Sequence, residues 1–157
     1  MNDCTIAGLF NRTFGLTHGV VIYGGAPEPL YLPASKKGRA IIRYSHDYAS
    51  SALHEISHWC LAGRARRARP DYGYRYAPPP RGAAGQSAFF SSEVDVQAIE
   101  YLLSQAAGVH FTVSADDPSI CVGDFRSQIE HRAAARRCAG LPPRAQQFHD
   151  VLAGARS

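Results

Sequence analysis

The stretch Ala52-Leu-His-Glu-Ile-Ser-His-Trp-Cys60 places two histidines, His54 and His58, four residues apart in an apolar run that favours a helix. At about 100° per residue, side chains four apart lie about 40° apart around a helix and one turn apart along it. Two imidazole rings at this spacing can therefore reach one metal ion together. We predict a helix over residues 49–62 that carries a metal site.

Glu55 follows the first histidine and completes a His-Glu-x-x-His pattern. In zinc peptidases with this pattern, the glutamate takes a proton from metal-bound water. The alternative is a helix with two solvent-facing histidines and no metal. Leu53, Ile56 and Trp59 argue against it, because they make the helix partly buried and a buried polar group needs a partner or an ion.

A third ligand has to come from another part of the chain, and Glu93 is the leading candidate. Ser91, followed by apolar residues at helical spacing, predicts a long helix over residues 91–107, so we expect Glu93 in its first turn. The alternative is that Glu93 binds no metal and is simply an acid that the helix dipole stabilises near the start of the helix. The other candidate ligands are Asp71, Asp95, Glu100, His46 and His110.

Two histidines and one carboxylate are compatible with two kinds of metal chemistry. A zinc hydrolase keeps one coordination position for water, whereas a non-haem iron oxygenase keeps positions for dioxygen and sometimes for a cosubstrate. The pattern alone favours a peptidase, and the number of ligands does not separate the two. The chain has no His-x-Asp or His-x-Glu sequence, with which the iron site of 2-oxoglutarate oxygenases usually begins, so that cosubstrate is not assumed.

The rest of the chain predicts an α+β fold in a single domain over residues 1–157, with a small mixed sheet packed by helices and the metal site between two helices. Strands are predicted over residues 20–23, 31–32 and 39–44, and the second of these is an edge strand because a proline follows it. Further helices are predicted over residues 5–16, over residues 117–138 and from Pro142-Pro143 to the end. Residues 71–88, rich in Tyr, Pro and Gly, are expected to form a long irregular loop.

The composition, with 45% apolar residues among 157, fits one enzyme-sized domain. Four cysteines without a Cys-x-x-Cys pair indicate neither a disulfide framework nor a zinc knuckle, and a reducing cytoplasm fits them best. We expect neither a secretory signal nor a membrane span. The net charge of +4, much of it concentrated in residues 64–69, favours acidic partners, and we expect a protein rather than direct contact with nucleic acid.

Several separate segments carry a family resemblance. They are Glu28-Pro-Leu-Tyr-Leu-Pro-Ala34, the metal motif with Ala62-Gly63 and Ala65-Arg-Arg67, Asp71-Tyr-Gly-Tyr74, and residues 86–101 around Glu93. With them, in this order, the chain resembles the bacterial elongation factor P hydroxylases over about residues 9–150. The resemblance implies a metal-dependent monooxygenase that hydroxylates a lysine of this translation factor after a β-lysyl group has been attached to it.

The resemblance also implies roles for the candidate ligands. His54, His58 and Glu93 would hold ferrous iron, with zinc as an alternative or adventitious metal, and dioxygen would be the cosubstrate. Glu55 would be a catalytic residue that orients a ligand or handles protons. Two other functions stay open: a minimal zinc metallopeptidase, and a binding module for elongation factor P with a structural metal.

The substrate of such an enzyme would be long and cationic. We expect a cluster of loop tyrosines to hold it by cation–π contact, with a nearby carboxylate, and basic residues to meet the acidic protein. The residues assigned to substrate binding are Asp71, Tyr72, Tyr74, Arg66 and Arg67, and Tyr76 is a further member of the tyrosine cluster. The alternatives are loop tyrosines that pack over the core and a solvated arginine-rich surface.

Overall fold

The computed structural model describes residues 1–74, 80–115 and 120–157. Three strands form its sheet: β1 (Val20–Ala26), β2 (Leu30–Leu32) and β3 (Ala40–Ser45). The helices are α1 (Asp3–Phe14), α2 (Ala49–Leu61), α3 (Arg64–Arg67), α4 (Ala83–Ala107), α5 (Val122–Ala139) and α6 (Pro143–Gly154), and a short 3₁₀ turn spans Pro70–Gly73. Among the residues described, no helix is long and apolar enough to cross a membrane.

The three strands form a mixed sheet in the order β1-β3-β2. The central strand, β3, runs parallel to β1 and antiparallel to β2, with Ile42 paired to Ile22 on one side and to Tyr31 on the other. Side chains along β3 are alternately buried and half-buried, as expected for a strand with one face on a core. The predicted α+β class, mixed sheet and edge position of the second strand are confirmed.

Helix α2 lies with one face on the main core and another toward α4. Its Trp59 ring packs at centroid distances of 5.2 Å from Phe10 and 5.0 Å from Phe14 of α1, and Phe148 of α6 packs on the same two rings. This aromatic cluster fixes the rotation of α2 around its axis. Because His54 and Trp59 are five residues apart, the fixed rotation turns the histidine away from the cluster.

The start of α4 differs from the prediction. The helix begins at Ala83, not near residue 91, so Glu93 lies ten residues inside it and the expected position in a first turn is wrong. Alanine-rich residues 83–88 favour helix, and Gly82 in extended conformation precedes them without any side-chain cap, so the serines at 91 and 92 are interior residues. The predicted loop over residues 71–88 is correspondingly shorter, since residues 83–88 are helical.

Two other helix boundaries shift slightly. Helix α1 begins at Asp3 and not at residue 5, because the Asn2 side chain caps it by accepting a 2.9 Å hydrogen bond from the Thr5 backbone. Helix α5 begins at Val122, whereas the prediction began at 117, and residues 117–119 lie outside the described residues. Tyr76 of the tyrosine cluster also lies outside them. Helix α6 begins at the predicted proline pair.

Candidate metal centre

Helices α2 and α4 bring three potential ligands together at the point where they pack. Nε2 of His58 lies 3.6 Å from Oε1 of Glu93, and Nε2 of His54 lies 3.9 Å from Oε2 of the same carboxylate. One ligand atom from each residue falls within 4.8 Å of the others, and no further group of this kind occurs in the described part of the chain. Two imidazole nitrogens and one carboxylate oxygen at these separations could hold a metal ion.

Glu100 is hydrogen-bonded to the ring nitrogen of His54 that lies away from Glu93. Its Oε2 lies 2.7 Å from Nδ1 of His54, which leaves Nε2 as the nitrogen that faces Glu93. Metal-binding histidines commonly donate their second ring N–H to a carboxylate in this way. Glu100 was a candidate ligand by sequence, but the structure places it on the far ring nitrogen. Its spacing of seven residues from Glu93, which puts both on one helix face, is the sequence signal for this role.

Gln97 orients the candidate carboxylate ligand. Its Nε2 donates a 3.0 Å hydrogen bond to Oε2 of Glu93, and the same amide bridges to the backbone of Ser114 through bonds of 2.7 Å and 3.0 Å. The side chain is completely buried. Sequence reasoning missed this residue, although a glutamine four residues after the ligand, on the same face, is a usable signal.

The electrostatics of the site favour a positive charge among its carboxylates, and they keep one of its two imidazole rings neutral. Burial and the charge of His54 hold the pKa of His58 well below its usual value, so this ring is neutral and can offer a lone pair. Burial also lowers the pKa of His54, but its hydrogen bond to Glu100 and the nearby carboxylates outweigh burial and raise the pKa to about 10. Nδ1 of His58 is buried without a hydrogen-bond partner within the described residues. The two imidazoles and the Glu93 carboxylate form a donor set for a metal cation, which would take the place of the proton on His54.

Glu55 lies next to the ligands and points into open space. The residue is only 9% exposed, and its carboxylate has no hydrogen bond to any residue that the structure describes. Burial raises the pKa of this carboxyl to about 7, an effect that the charge of His54 opposes and the charges of Glu93, Asp71 and Glu100 support. A carboxyl with a pKa near neutrality is suited to exchanging a proton.

A pocket of about 220 Å³, here called the aromatic pocket, opens beside the ligands. Its walls include His58 and Glu93 of the candidate centre, Glu55, and three of the five predicted substrate-binding residues, Asp71, Tyr72 and Tyr74. The structure thus brings these three to the ligands, although the chain places them between α3 and α4. Arg66 and Arg67 do not line this pocket.

Stacked rings form one wall of the aromatic pocket. Tyr72 lies between Tyr31, at a centroid distance of 4.1 Å, and His58, at 6.0 Å, with all three rings nearly parallel. The Tyr72 residue is 3% exposed, and its hydroxyl has no hydrogen-bond partner within the described residues. This wall shields the candidate ligand His58 from solvent on one side.

The turn that carries Tyr72 has an unusual backbone. Asp71 and Tyr72 have φ values of 47° and 57°, in the left-handed region that costs free energy for residues other than glycine. Oδ1 of Asp71 accepts a 2.9 Å hydrogen bond from the backbone N–H of Tyr31, and Arg66 donates to the carbonyl of Tyr72 at 3.3 Å. These bonds hold the strained turn against the edge strand β2.

The arginines near the site make defined contacts. The Arg66 guanidinium lies 4.4 Å from the centre of the Tyr74 ring, and Arg67 donates a 2.5 Å hydrogen bond to the carbonyl of Ala62 at the end of α2. Arg144 of α6, which sequence reasoning missed, donates to three carbonyls at the same helix end and lies over the Trp59 ring. Its separation of more than 80 residues from α2 in the chain left no local signal.

Fold and site together define a small α+β protein with a candidate metal centre of two histidines and one carboxylate between two helices. A model of the family described as "Elongation factor P hydroxylase" matches residues 9–155. A protein of Haemophilus influenzae named "Elongation factor P lysine hydroxylase" is 36% identical over 151 residues, which cover 94% of this chain and 85% of that protein. The chain therefore belongs to the elongation factor P hydroxylase family, and the predicted family is confirmed.

Proposed function

We propose that this protein is a metal-dependent monooxygenase that hydroxylates a lysine side chain of elongation factor P. The observation that carries the proposal is the cluster of His54, His58 and Glu93 beside an open pocket, in a chain that belongs to the elongation factor P hydroxylase family. A structural metal site would be closed by four protein ligands. This cluster has three within the described chain, which suits a catalytic site.

We assign ferrous iron as the native metal and dioxygen as the cosubstrate. Two histidines and one carboxylate form the ligand set that non-haem iron oxygenases use, and zinc is an alternative or adventitious occupant of the same donors. When bound there, ferrous iron would supply the activation of dioxygen needed to insert one oxygen atom into a C–H bond. Glu100 and Gln97 would keep His54 and Glu93 oriented toward the metal.

Glu55 is the proposed catalytic residue. Glu55 lines the aromatic pocket next to the ligands, and its carboxylate has no partner among the described residues, so it is free to accept or release a proton during the reaction. Burial keeps its pKa near 7, where it can do both at neutral pH.

The substrate is the lysine of elongation factor P to which a β-lysyl group has been attached. The aromatic pocket suits such a long cationic side chain, because Tyr72 and Tyr74 offer aromatic faces while Asp71 offers a carboxylate. Arg66, whose guanidinium packs on the Tyr74 ring, and its neighbour Arg67 would meet the acidic surface of the protein substrate. We place the reaction in the cytoplasm, without membrane or direct nucleic-acid contact, and assign it to one domain over residues 1–157.

The zinc peptidase alternative is not favoured. Many peptidases bind a substrate peptide along the edge strand that precedes the metal helix, through main-chain hydrogen bonds. Here the backbone N–H of Tyr31 on the edge strand β2 already donates to Asp71. The family match also supports hydroxylation over peptide cleavage.

The test is an intact-mass measurement on the protein substrate. The protein is purified without oxygen, loaded with ferrous iron, and mixed with reductant, dioxygen and β-lysylated elongation factor P. We expect the substrate to gain about 16 Da, the mass of one oxygen atom. Peptide fragments, with zinc as the required metal, would instead support the peptidase. Unmodified elongation factor P is the matched control and should gain no mass.

A further inference from the structure

A second pocket of about 210 Å³, which we call the hydroxyl pocket, also has Glu55 in its wall. Pro29 and Glu55 line both pockets, so the two are adjacent. Five of its lining residues carry hydroxyl groups: Ser45, Ser50, Ser51, Thr112 and Ser114. Three of them come from β3 and the first turn of α2, and two from the segment that follows α4.

The hydroxyl pocket is rich in hydrogen-bond acceptors. Glu55 and Glu100 both line it, together with His54, whose ring is hydrogen-bonded to Glu100, and no lysine or arginine lines it among the described residues. Oε1 of Glu100 accepts no hydrogen bond from the described chain, since the bond to His54 uses Oε2. Glu55 is nine-tenths buried and also lacks a partner there. Glu55 lines both pockets, and its unpartnered carboxylate is an independent sign that a polar group of a ligand belongs beside it, because buried polar groups are normally paired.

These features select one class of ligand. A primary ammonium group carries three N–H donors and a positive charge, and it matches a pocket of carboxylate and hydroxyl acceptors. An anion would face the unpartnered carboxylate of Glu55 and the free oxygen of Glu100, and an apolar group would leave these acceptors unpaired. An ammonium group at the end of a long side chain fits this arrangement, because the adjoining aromatic pocket offers space for the apolar part of that chain.

We propose that the hydroxyl pocket binds the terminal ammonium group of the substrate's aminoalkyl side chain, while the aliphatic part of that chain lies in the aromatic pocket. This inference rests on the proposed function, because it takes a long cationic lysine derivative as the substrate. The hydroxyl pocket then sets how far the side chain reaches past the metal ligands. It thereby selects which carbon atom lies beside them, and it rejects side chains that end in a neutral group.

The binding test uses hexamethylenediamine as the probe and hexanediol, its uncharged analogue of similar length, as the control. Each is titrated into the isotope-labelled full chain, and backbone amide shifts are followed by NMR. We expect saturable shifts at Ser50, Ser51 and Thr112 with the diamine and none with the diol. Equal shifts with both compounds, or diamine shifts confined to other surfaces, would overturn the inference.

Two substitutions make the test specific. Ser51→Lys and Thr112→Lys each place a permanent cation in the pocket, so the diamine should no longer bind there. Ser127→Lys makes the same charge change on the exposed side of α5 and should bind the diamine like the original chain. Because two different elements carry the pocket substitutions, a folding defect in one variant leaves the other informative. Diamine binding that survives in both folded variants would contradict the inference.

Kinetics separate this inference from the proposed function. With β-lysylated elongation factor P, we expect kcat/KM to fall about tenfold or more in Ser51→Lys, because like charges placed together are strongly disfavoured, while metal content stays unchanged. If the original chain hydroxylates its substrate and neither lysine variant has a lower kcat/KM, the ammonium site is overturned and the proposed function stays intact. Diamine binding in the pocket without any hydroxylation would overturn the proposed function instead.

Discussion

Oε2 of Glu100 on α4 lies 2.7 Å from Nδ1 of His54 on α2, so a carboxylate from one helix decides which nitrogen of the other helix's histidine faces the candidate metal centre. The pair also ties the two ligand-bearing helices together in a buried position, since Glu100 is 2% exposed. The orientation of the His54 ring therefore depends on how α2 and α4 pack together, and not on the His-Glu-x-x-His sequence alone.

Removing the Glu100 carboxylate should weaken metal binding without removing a ligand. In Glu100→Ala we expect a loss of affinity of about 10- to 100-fold, because His54 loses the partner that fixes its ring. Glu100→Gln keeps an acceptor and should lose less. Metal titration followed by calorimetry measures both. Glu130→Gln, on an exposed glutamate of α5 paired with Arg126, is the control. Unchanged affinity in Glu100→Ala would show that His54 needs no support.

Gln97 should contribute to both stability and activity. Gln97→Leu leaves the backbone groups of Ser114 without their partner, so we expect a loss of about 1–3 kcal/mol in the free energy of unfolding. The Glu93 carboxylate also loses a donor, and hydroxylation should slow. Urea unfolding and the hydroxylation assay measure the two effects. Gln147→Leu changes an exposed glutamine of α6 and should alter neither.

Tyr72 separates a binding role from a packing role. Its hydroxyl is buried without a partner in the described structure, so Tyr72→Phe should leave the protein as stable or stabilise it by about 1 kcal/mol. If the hydroxyl donates to substrate, the same change raises KM about two- to tenfold. Thermal unfolding and steady-state kinetics give the two values. Tyr48→Phe, at an exposed position, is the control and should leave KM unchanged. An equally unchanged KM in Tyr72→Phe would assign Tyr72 to packing alone.

Arg144 should stabilise the end of the metal-bearing helix. It donates to the carbonyls of Trp59, Cys60 and Ala62, which have no partners within α2 itself, so Arg144→Met should cost about 1–3 kcal/mol of unfolding free energy. Urea denaturation measures this cost. Arg64→Met removes a nearby exposed arginine and should cost far less. A cost equal to that of the control would mean that solvent satisfies these carbonyls equally well.

The sequence predicted the parts of the structure that depend on local pattern. The spacing of His54 and His58 within an apolar run is enough to specify a helix and two converging rings, and the structure has both. The strand order could not be predicted, because it depends on how β2 turns back onto β3 after a break at prolines. The predicted beginning of α4 was wrong because Ser91 and Ser92, which resemble capping residues, lie inside the helix. Its true first turns carry no capping side chain and are indicated only by the helix propensity of alanine.

The surroundings of the candidate centre depend on contacts between distant segments. Glu93 was selected as one carboxylate among several, and only the packing of α2 on α4 brings it within 3.6 Å of His58. The supporting roles of Glu100 and Gln97 follow from the same packing and from the position of Ser114. Arg144 reaches α2 from the other end of the chain. The spacing of Gln97 and Glu100 from Glu93 indicates a shared helix face, but their partners on other segments have no local pattern, so sequence alone could not assign those contacts.

The most direct test of the account measures oxygen transfer and metal content on the same samples. The iron-loaded protein and its Glu93→Gln variant are incubated with β-lysylated elongation factor P under isotopically heavy dioxygen, and the substrate mass is recorded. We predict one heavy oxygen atom in the product of the original chain, and neither bound metal nor product in the variant. A variant that keeps both metal and full activity, or oxygen that comes from water in the original chain, would contradict the account.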